Sequence, residues 1–404
     1  MRFFSGIILF VILVATQVKA GGSIFEASNT GFGIYSPRYS AAGLGSSYEV
    51  ASNDSLKLNF MNYAQWADIR ITRYGVKGNS RIAMSSNQTG DNFFNKSTQF
   101  QGAFLALPLL KKKWALGAAV QPIYSVDQHL ETNVQGPNEE LIQSLYVHGG
   151  LSRVLLNTSY KIRPSFSVAL GYEYTFGSIS DNYRLIPTGT TVANIAFTYD
   201  YRFYGHGAVL SSLYSPNKNW NFGLVLRPQV TLTGKGVAEE ITSQTLINES
   251  EVKKYRIPAQ YQIGAQYHLN RRWKTGLDVL YQDWQNGYSI DNKNQSEFAT
   301  SFRAGIGMEK STSPKTYTDM LDKMSYRFGL FMGQLNVESN DNTINEYGVS
   351  LGFSVPIFRF RSRMDFATQF GFRGDLANNN YEEKFAELNI TIHASELWFV
   401  NIEN

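Results

Sequence analysis

The 404-residue chain has no cysteine, so neither a disulfide framework nor a lipid-modified N-terminal cysteine is open to it. Beyond the N-terminus, no stretch is apolar enough to cross a bilayer as a helix, which takes roughly 20 residues. Neither charge sign is in real excess. The formal net charge is +4, and Arg2 and Lys19 lie in a leader whose removal brings the balance closer to neutral, so nothing points to nucleic acid. Catalytic signatures are missing too: no Gly-x-Ser-x-Gly, no His-Glu-x-x-His and no phosphate loop occurs. The five histidines, His129, His148, His206, His268 and His393, are scattered, and Gly31-Phe32-Gly33 lacks a third glycine and a preceding strand. The acidic stretch Asp291–Glu297 lacks the spacing of a calcium loop. A non-enzyme without cofactor or metal is therefore expected.

What is present is alternation. Tyr255, Ile257, Ala259, Tyr261, Ile263, Ala265, Tyr267 and Leu269 are interleaved with Lys254, Arg256, Pro258, Gln260, Gln262, Gly264, Gln266 and His268. Side chains on a strand point to opposite faces with period two, so this is a ribbon with one apolar and one polar side. Similar runs recur along the chain, and aromatics reach 14% with 24 Tyr and 27 Phe. A transmembrane antiparallel β-barrel, with lipid outside and a polar lumen inside, is the economical cause. The N-terminus agrees: Met1-Arg2, an apolar run Ile7 to Val14 and Val18-Lys19-Ala20 read as an export signal cleaved after Ala20.

Fourteen candidate strands follow, from Ala67–Val76 to a last strand, Glu383–Phe399, with short connections alternating with long polar ones. Such sorting fits periplasmic turns and extracellular loops, and an even strand number returns the chain to its starting side. The connection Glu309–Met324 is the exception, long enough for a short helix around Tyr317–Leu321. In the seventh strand, Trp220, Phe222, Leu224, Leu226 and Val230 are expected to face lipid, with Asn221, Arg227, Gln229 and Thr231 inside. An aromatic end to the last strand, Trp398-Phe399, suits recognition by outer-membrane assembly machinery. The expected organisation is thus a signal peptide (1–20), an N-terminal segment (21–66) and the barrel (67–404). The middle segment either hangs in the periplasm or fills the lumen as a plug, which a barrel of this width needs if it is not to leak.

The chain resembles the long-chain fatty-acid transporter (FadL) family of Gram-negative outer membranes, which includes the aromatic-hydrocarbon importers. Ala41-Ala42-Gly43-Leu44-Gly45, then Asn53-Asp54, then Asn62-Tyr63-Ala64 are similar to that family's plug, although Tyr63 stands where proline is usual. Ile257-Pro258-Ala259, Ile263-Gly264, Asp278-Val279-Leu280-Tyr281 and Trp284 are similar to its eighth and ninth strands. Gly207 through Gly236 resembles the sixth and seventh, and Gly371-Phe372-Arg373-Gly374 with Glu387 the terminal hairpin.

The resemblance implies a 14-stranded barrel with an N-terminal hatch, monomeric in the bilayer and facing lipopolysaccharide. It implies passive uptake of a hydrophobic small molecule, captured among outer loops and released sideways into the membrane. Gly43, Gly45, Asn53, Asp54, Asn62 and Tyr63 would form the gate. For capture, Leu130 to Tyr146 offers a loop helix presenting Leu141, Ile142, Leu145 and Tyr146, unless these simply pack against neighbouring loops. Arg202, Arg227 and Arg256, read as inward-facing, would meet a carboxylate or else form a structural network with Asp200 and plug acids. A non-transporting relative, serving secretion or surface assembly, is the alternative.

Overall fold

The computed structural model describes residues 23–396, except 27–31, 36–38, 55, 136–139, 188–194, 241–249, 296, 313–318 and 358–361. The expected signal peptide and the Trp398-Phe399 end lie outside the described residues. A closed antiparallel barrel of 14 strands accounts for most of the rest. Its strands are β1 (Thr72–Asn87), β2 (Asn92–Leu110), β3 (Trp114–Gln135), β4 (Glu140–Arg163), β5 (Phe166–Pro187) and β6 (Ile195–Tyr214). β7 runs as Trp220–Arg227 and continues as Val230–Glu240, and β8 as Ser250–Ile257 and Gln260–His268. Then come β9 (Trp273–Gln282), β10 (Ser301–Lys310), β11 (Ser325–Ser339), β12 (Asn342–Ile357), β13 (Ser362–Arg373) and β14 (Tyr381–Glu396). β14 pairs with β1 from Glu396↔Thr72 to Tyr381↔Asn87, which closes the ring and leaves no terminal edge.

Trp220, Phe222 and Leu224 face outward and Asn221, Arg227, Gln260 and Gln262 are buried inside, as alternation between lipid and a wet bore requires. Two departures from the expected strands share one cause. Pro228-Gln229 interrupts β7 and Pro258-Ala259 interrupts β8 at the same level, with Arg227↔Gln260 paired below the breaks and Val230↔Ile257 above them. Proline cannot donate to the ladder, so it marks the place where pairing lapses. Across each break the facing inverts. Tyr255, Ile257 and Leu232 are buried inside, whereas Gln229 and Thr231 are exposed, the reverse of the expectation for Gln229, Val230 and Thr231. Below the breaks the surroundings are hydrocarbon and the apolar face turns out; above them the wall passes through the headgroup layer into water and it turns in.

Other boundaries also shift. Ala67 belongs to a 3-10 turn, Tyr63–Asp68, and the first long strand begins at Thr72 rather than Ala67. Of the helix expected around Tyr317–Leu321, residues up to 318 lie outside the described residues, and a 3-10 turn runs over Met320–Lys323. The outer hairpin β3–β4 stays extended, with Leu130↔Leu145 and His129↔Tyr146 in register, so the described residues of Leu130–Tyr146 form strand and not the expected loop helix. A charge placed on the lipid face tests this assignment. Ile263→Arg should cost about 2–4 kcal/mol at mid-membrane and prevent the heat-modifiable folded band on gels, because Ile263 faces lipid with 55% exposure. Thr231→Arg, above the break, should fold normally.

Candidate functional site

Residues 39–69 run inside the barrel and touch strands around most of its circumference. Their local structure begins with a helix, α1 (Ala41–Ser46), capped by Ser40, whose Oγ accepts the Gly43 N–H at 3.1 Å. All six helical residues are buried, and Ser47 ends the helix in the left-handed region at φ 57. The chain then crosses a track of inward-facing wall glycines: Gly223, Gly264, Gly276, Gly305, Gly307 and Gly329. A Cβ on Gly305 would sit 2.0 Å from the Ser47 carbonyl oxygen, and one on Gly307 2.0 Å from that of Ser46. Only a bare backbone permits that approach. Gly45 works from the other side, where a Cβ would lie 2.9 Å from Cα of Gly352.

Polar groups fix this close fit. The Asp278 carboxylate accepts N–H groups from Glu49 at 2.5 Å and Val50 at 2.8 Å. The Glu49 carboxylate accepts the Ser40 N–H at 2.7 Å, and its burial pushes that carboxyl above its ordinary value. Asn59 Nδ2 donates to the carbonyls of Glu49 and Ser52, and Asn59 Oδ1 accepts from the N–H groups of Met61 and Asn62. Asn62 caps the Tyr63–Asp68 turn and donates to Val50 at 2.9 Å and to Ser212 of the wall at 2.8 Å. Toward the short-turn end, Asp54 meets Arg363 at 3.3 Å and Lys57 meets Glu309 at 4.0 Å; Glu309 also holds Lys274 and Arg327. Burial alone would raise the Asp54 carboxyl, but Arg363, Lys274 and Lys57 outweigh it and hold it below its ordinary value. These pairs lie out of water, where removing one partner strands the other charge.

The residues expected to form the gate therefore divide. Gly43, Gly45, Asp54, Asn62 and Tyr63 all take part in the packing between this segment and its surroundings, whereas Asn53 is exposed and joins none of it. Tyr63 Oη accepts from Gln121 Nε2 and an Arg227 guanidinium N–H, each at 3.3 Å, and Arg227 Nε donates to Glu173 at 3.1 Å. Of the arginines read as inward, only Arg227 is. Arg202 is exposed on the outer face, and Arg256 turns away from the bore and donates to Asn292. The grouping Leu141, Ile142, Leu145 and Tyr146 also falls apart, since strand alternation puts Leu141 and Leu145 on one face and Ile142 and Tyr146 on the other. Residue-by-residue expectation missed Asp278 as an anchor and the glycine track altogether.

Above this layer the bore is apolar. Phe32 is 1% exposed and sits among four rings: Phe203 at 5.1 Å, Tyr255 at 5.7 Å, Tyr124 at 5.9 Å and Tyr288 at 6.1 Å between centroids. Trp284, Phe298, Ile34, Ile257 and Leu232 extend the cluster. Two small cavities adjoin the polar wall: one of about 30 Å³ lies by Tyr35, Leu335, Arg303, Glu346 and Arg373, and one of about 20 Å³ by Lys77, Gln369 and Glu387. That is space for a few waters at most.

Besides the proline breaks of β7 and β8, a longer lapse in the wall, between β2 and β3, meets the apolar cluster. β2 and β3 pair from Leu110↔Trp114 only as far as Ala103↔Val120, and among the described residues Asn92–Gly102 and Gln121–Gln135 do not pair with each other. The sequence explains the parting: Gly102 adopts φ +141, and Pro122 has no N–H to donate. A short strand of the N-terminal segment, Ile34–Tyr35, pairs with the vacated edge at Ser125 and Tyr124.

One further prediction follows from the glycine track. Gly305→Val should push Ser46–Ser47 off the wall, because a branched side chain cannot share space with a carbonyl at 2.0 Å. The strand can still form, as β10 keeps both neighbours in register. Raised ion leakage from a variant that still gives a folded, heat-modifiable band is the expected result in planar bilayers.

Comparison with known proteins supplies a lineage. The BamG family model matches residues 7–403. The fold is similar to that of a FadL homologue from Pseudomonas aeruginosa, at TM-score 0.64 and 11% identity over 90% of this chain and 99% of that one. It is similar to the Pseudomonas putida toluene transporter TodX at TM-score 0.59 and 14% identity, covering 90% and 99%. The monoaromatic hydrocarbon channel CymD gives TM-score 0.57 and 13% identity, covering 89% and 97%. No curated protein matches the chain.

Proposed function

The chain belongs to the BamG family, and from that premise we propose that it is an outer-membrane channel for hydrophobic small molecules, with residues 23–69 as its hatch. In this reading a solute enters from the outer loops, passes the aromatic cluster around Phe32, and leaves sideways between β2 and β3 into the bilayer. The observation that carries it is the lapse of pairing above Ala103↔Val120, which opens onto buried apolar residues, Ile123 and Tyr124, rather than onto the charged layer below. A lateral exit suits an oily solute, because hydrocarbon is where its free energy is lowest. The FadL homologue, TodX and CymD lend the fold, and the names of the last two speak of toluene and monoaromatic hydrocarbons for those proteins.

The natural absence of cysteine makes a clean test possible. Ile34→Cys with Ser125→Cys places two thiols at a paired register position. Oxidation should pin the short strand in the gap and stop uptake of a labelled hydrocarbon into proteoliposomes, and reduction should restore it. Uptake that ignores the oxidation state would defeat lateral release at this gap.

A second reading has one specific observation in its favour. The Phe32 cage is filled by the protein's own side chain, as expected of a sealed barrel that serves secretion or surface assembly without transport. Absence of uptake by the unmodified protein, together with stoichiometric co-purification of other envelope proteins, would favour it.

A further inference from the structure

The outer face of β6, β7 and β8 carries a cationic cluster that the lumen does not use. Arg202 stands directly opposite Lys235, and on the next strand Lys254 and Arg256 stand opposite Thr233 and Thr231. Strand alternation puts all four on the outside, since their neighbours Phe203, Leu232 and Tyr255 are buried within. None of the four forms an ion pair among the described residues. Lys235 lies over the Tyr204 ring at 5.9 Å, Lys254 Nζ donates to Thr233 at 2.8 Å, and Arg256 donates to Asn292 at 2.8 Å. Two of the acids nearby are turned to other work, and Asp200 is not. Glu251 faces the other side of β8 and pairs with Lys253 at 2.7 Å, Asp291 accepts the Lys254 backbone N–H, and Asp200 is two residues from Arg202 on the same face. Like charges directly opposite on a sheet repel, so Arg202 against Lys235 is unfavourable unless an anion lies between them.

The height of the cluster says which anion. On β6 the outward residues run from Tyr214 through Leu210 to Tyr204, about the 9–11 residues a tilted strand needs to cross a bilayer. Phe176 and Tyr204, opposite each other, form the aromatic rim at the far end, where rings sit at headgroup level, with Tyr172 lower on the same face, and all three are exposed outward. Arg202 is the next outward residue beyond that rim. The cluster also lies just above the proline breaks at which β7 and β8 invert their facing. On the opposite wall the exposed Lys384 is already paired with Glu382 at 3.0 Å. The cluster thus spans three adjacent strands and lies at the headgroup plane of the outer leaflet.

We propose that Arg202, Lys235, Lys254 and Arg256 bind the phosphate of a phosphorylated glycolipid, the lipopolysaccharide anchor, in the leaflet around the barrel. Guanidinium groups grip phosphate with two parallel N–H donors and the lysines add point charges. Tyr172, Phe176 and Tyr204 pack below against the sugar and upper acyl region. The site rests on the outer-membrane placement and is independent of whether the bore transports anything.

The test uses the whole barrel purified in mild detergent, with bound lipid quantified by native mass spectrometry. The wild type should retain glycolipid, and the variant with Arg202→Gln, Lys235→Gln, Lys254→Gln and Arg256→Gln should retain at least tenfold less while keeping its heat-modifiable band. Lys384→Gln should behave as wild type. If the fourfold variant does not fold, Arg202→Gln with Lys235→Gln is measured instead, and a several-fold loss is expected. Added lipopolysaccharide should raise the unfolding temperature of the wild type more than phosphatidylcholine does, and inorganic phosphate should not displace the bound glycolipid. Equal retention by the variants, equal protection by phosphatidylcholine, or displacement by free phosphate would each overturn the proposal.

Discussion

Asp278→Ala should convert a quiet barrel into one that flickers open. The carboxylate is fully buried and accepts two backbone N–H groups from residues 49 and 50, at the centre of the glycine track. Each bond to a charged acceptor is worth about 1.5–3 kcal/mol, and the donors left behind are buried. Even if water entering the vacated space recovers part of that, a net loss of about 3 kcal/mol raises the displaced population of the segment on the order of a hundredfold. The wall itself is spared, since Asp278 keeps its backbone register with Gly264 and Gly305. Single-channel recording should therefore show frequent openings from a folded variant, and cells carrying it should become sensitive to antibiotics too large for an intact outer membrane. Asp278→Asn retains an acceptor oxygen and should fall between. An alanine variant as silent as the wild type would mean that the ion pairs of Asp54 and Lys57 hold the segment without this anchor.

The membrane-spanning part of this fold is legible in the sequence because two solvents impose it. Lipid on one side and a hydrated bore on the other force alternation, so Trp220, Phe222 and Leu224 could be told from Asn221 and Arg227 by counting. Counting stops working where strands leave the bilayer. Parity carried from Tyr261 across Pro258-Ala259 to Arg256 reverses, and the prolines were the visible sign of a broken ladder. Arg202 went wrong without any break. Its neighbours Tyr201 and Phe203 are apolar, and in the bilayer they would face lipid, but above it they belong to the interior cluster. Likewise Leu141 and Leu145 are spaced for one face of a helix and equally for one face of a strand, and the long partner strand β3 decides between them.

The candidate site was legible in kind but not in detail. Small residues at Ala41–Gly45 and the polar pair Asn53-Asp54 announce a tightly packed segment, yet they do not say what it packs against. Gly223, Gly276, Gly305 and Gly307 are separated from that segment by well over a hundred positions, and each alone looks like an ordinary gap in a strand. Only the barrel's closure lines them up under one backbone. Asp278 could be placed inside by parity; its role depends on two N–H groups whose direction no local pattern encodes.

Phe32→Ala is the substitution that best separates a ligand cage from a plain core. Truncating a buried phenylalanine costs about 3–5 kcal/mol, spread between lost burial and the void left behind. Here the void would be bounded by Tyr124, Phe203, Tyr255 and Tyr288, all held on strands or on the turn after β9, so collapse is resisted. A dry apolar cavity of that size accepts benzene-like molecules. The variant should accordingly lose its heat-modifiable fold at a lower temperature than the wild type, and saturating toluene should restore most of the difference. A ligand that binds only the native state stabilises it by RT ln(1 + [L]/Kd), so a hundredfold excess over Kd returns about 2.7 kcal/mol. The wild type, whose cage is occupied by Phe32, should respond far less. If uptake is the function, the two chains differ only in how often the cage is vacant, and toluene should also speed hydrocarbon entry through the alanine variant. If toluene stabilises neither chain, the rings around Phe32 are structural packing, and the apolar route through the upper bore loses its physical basis.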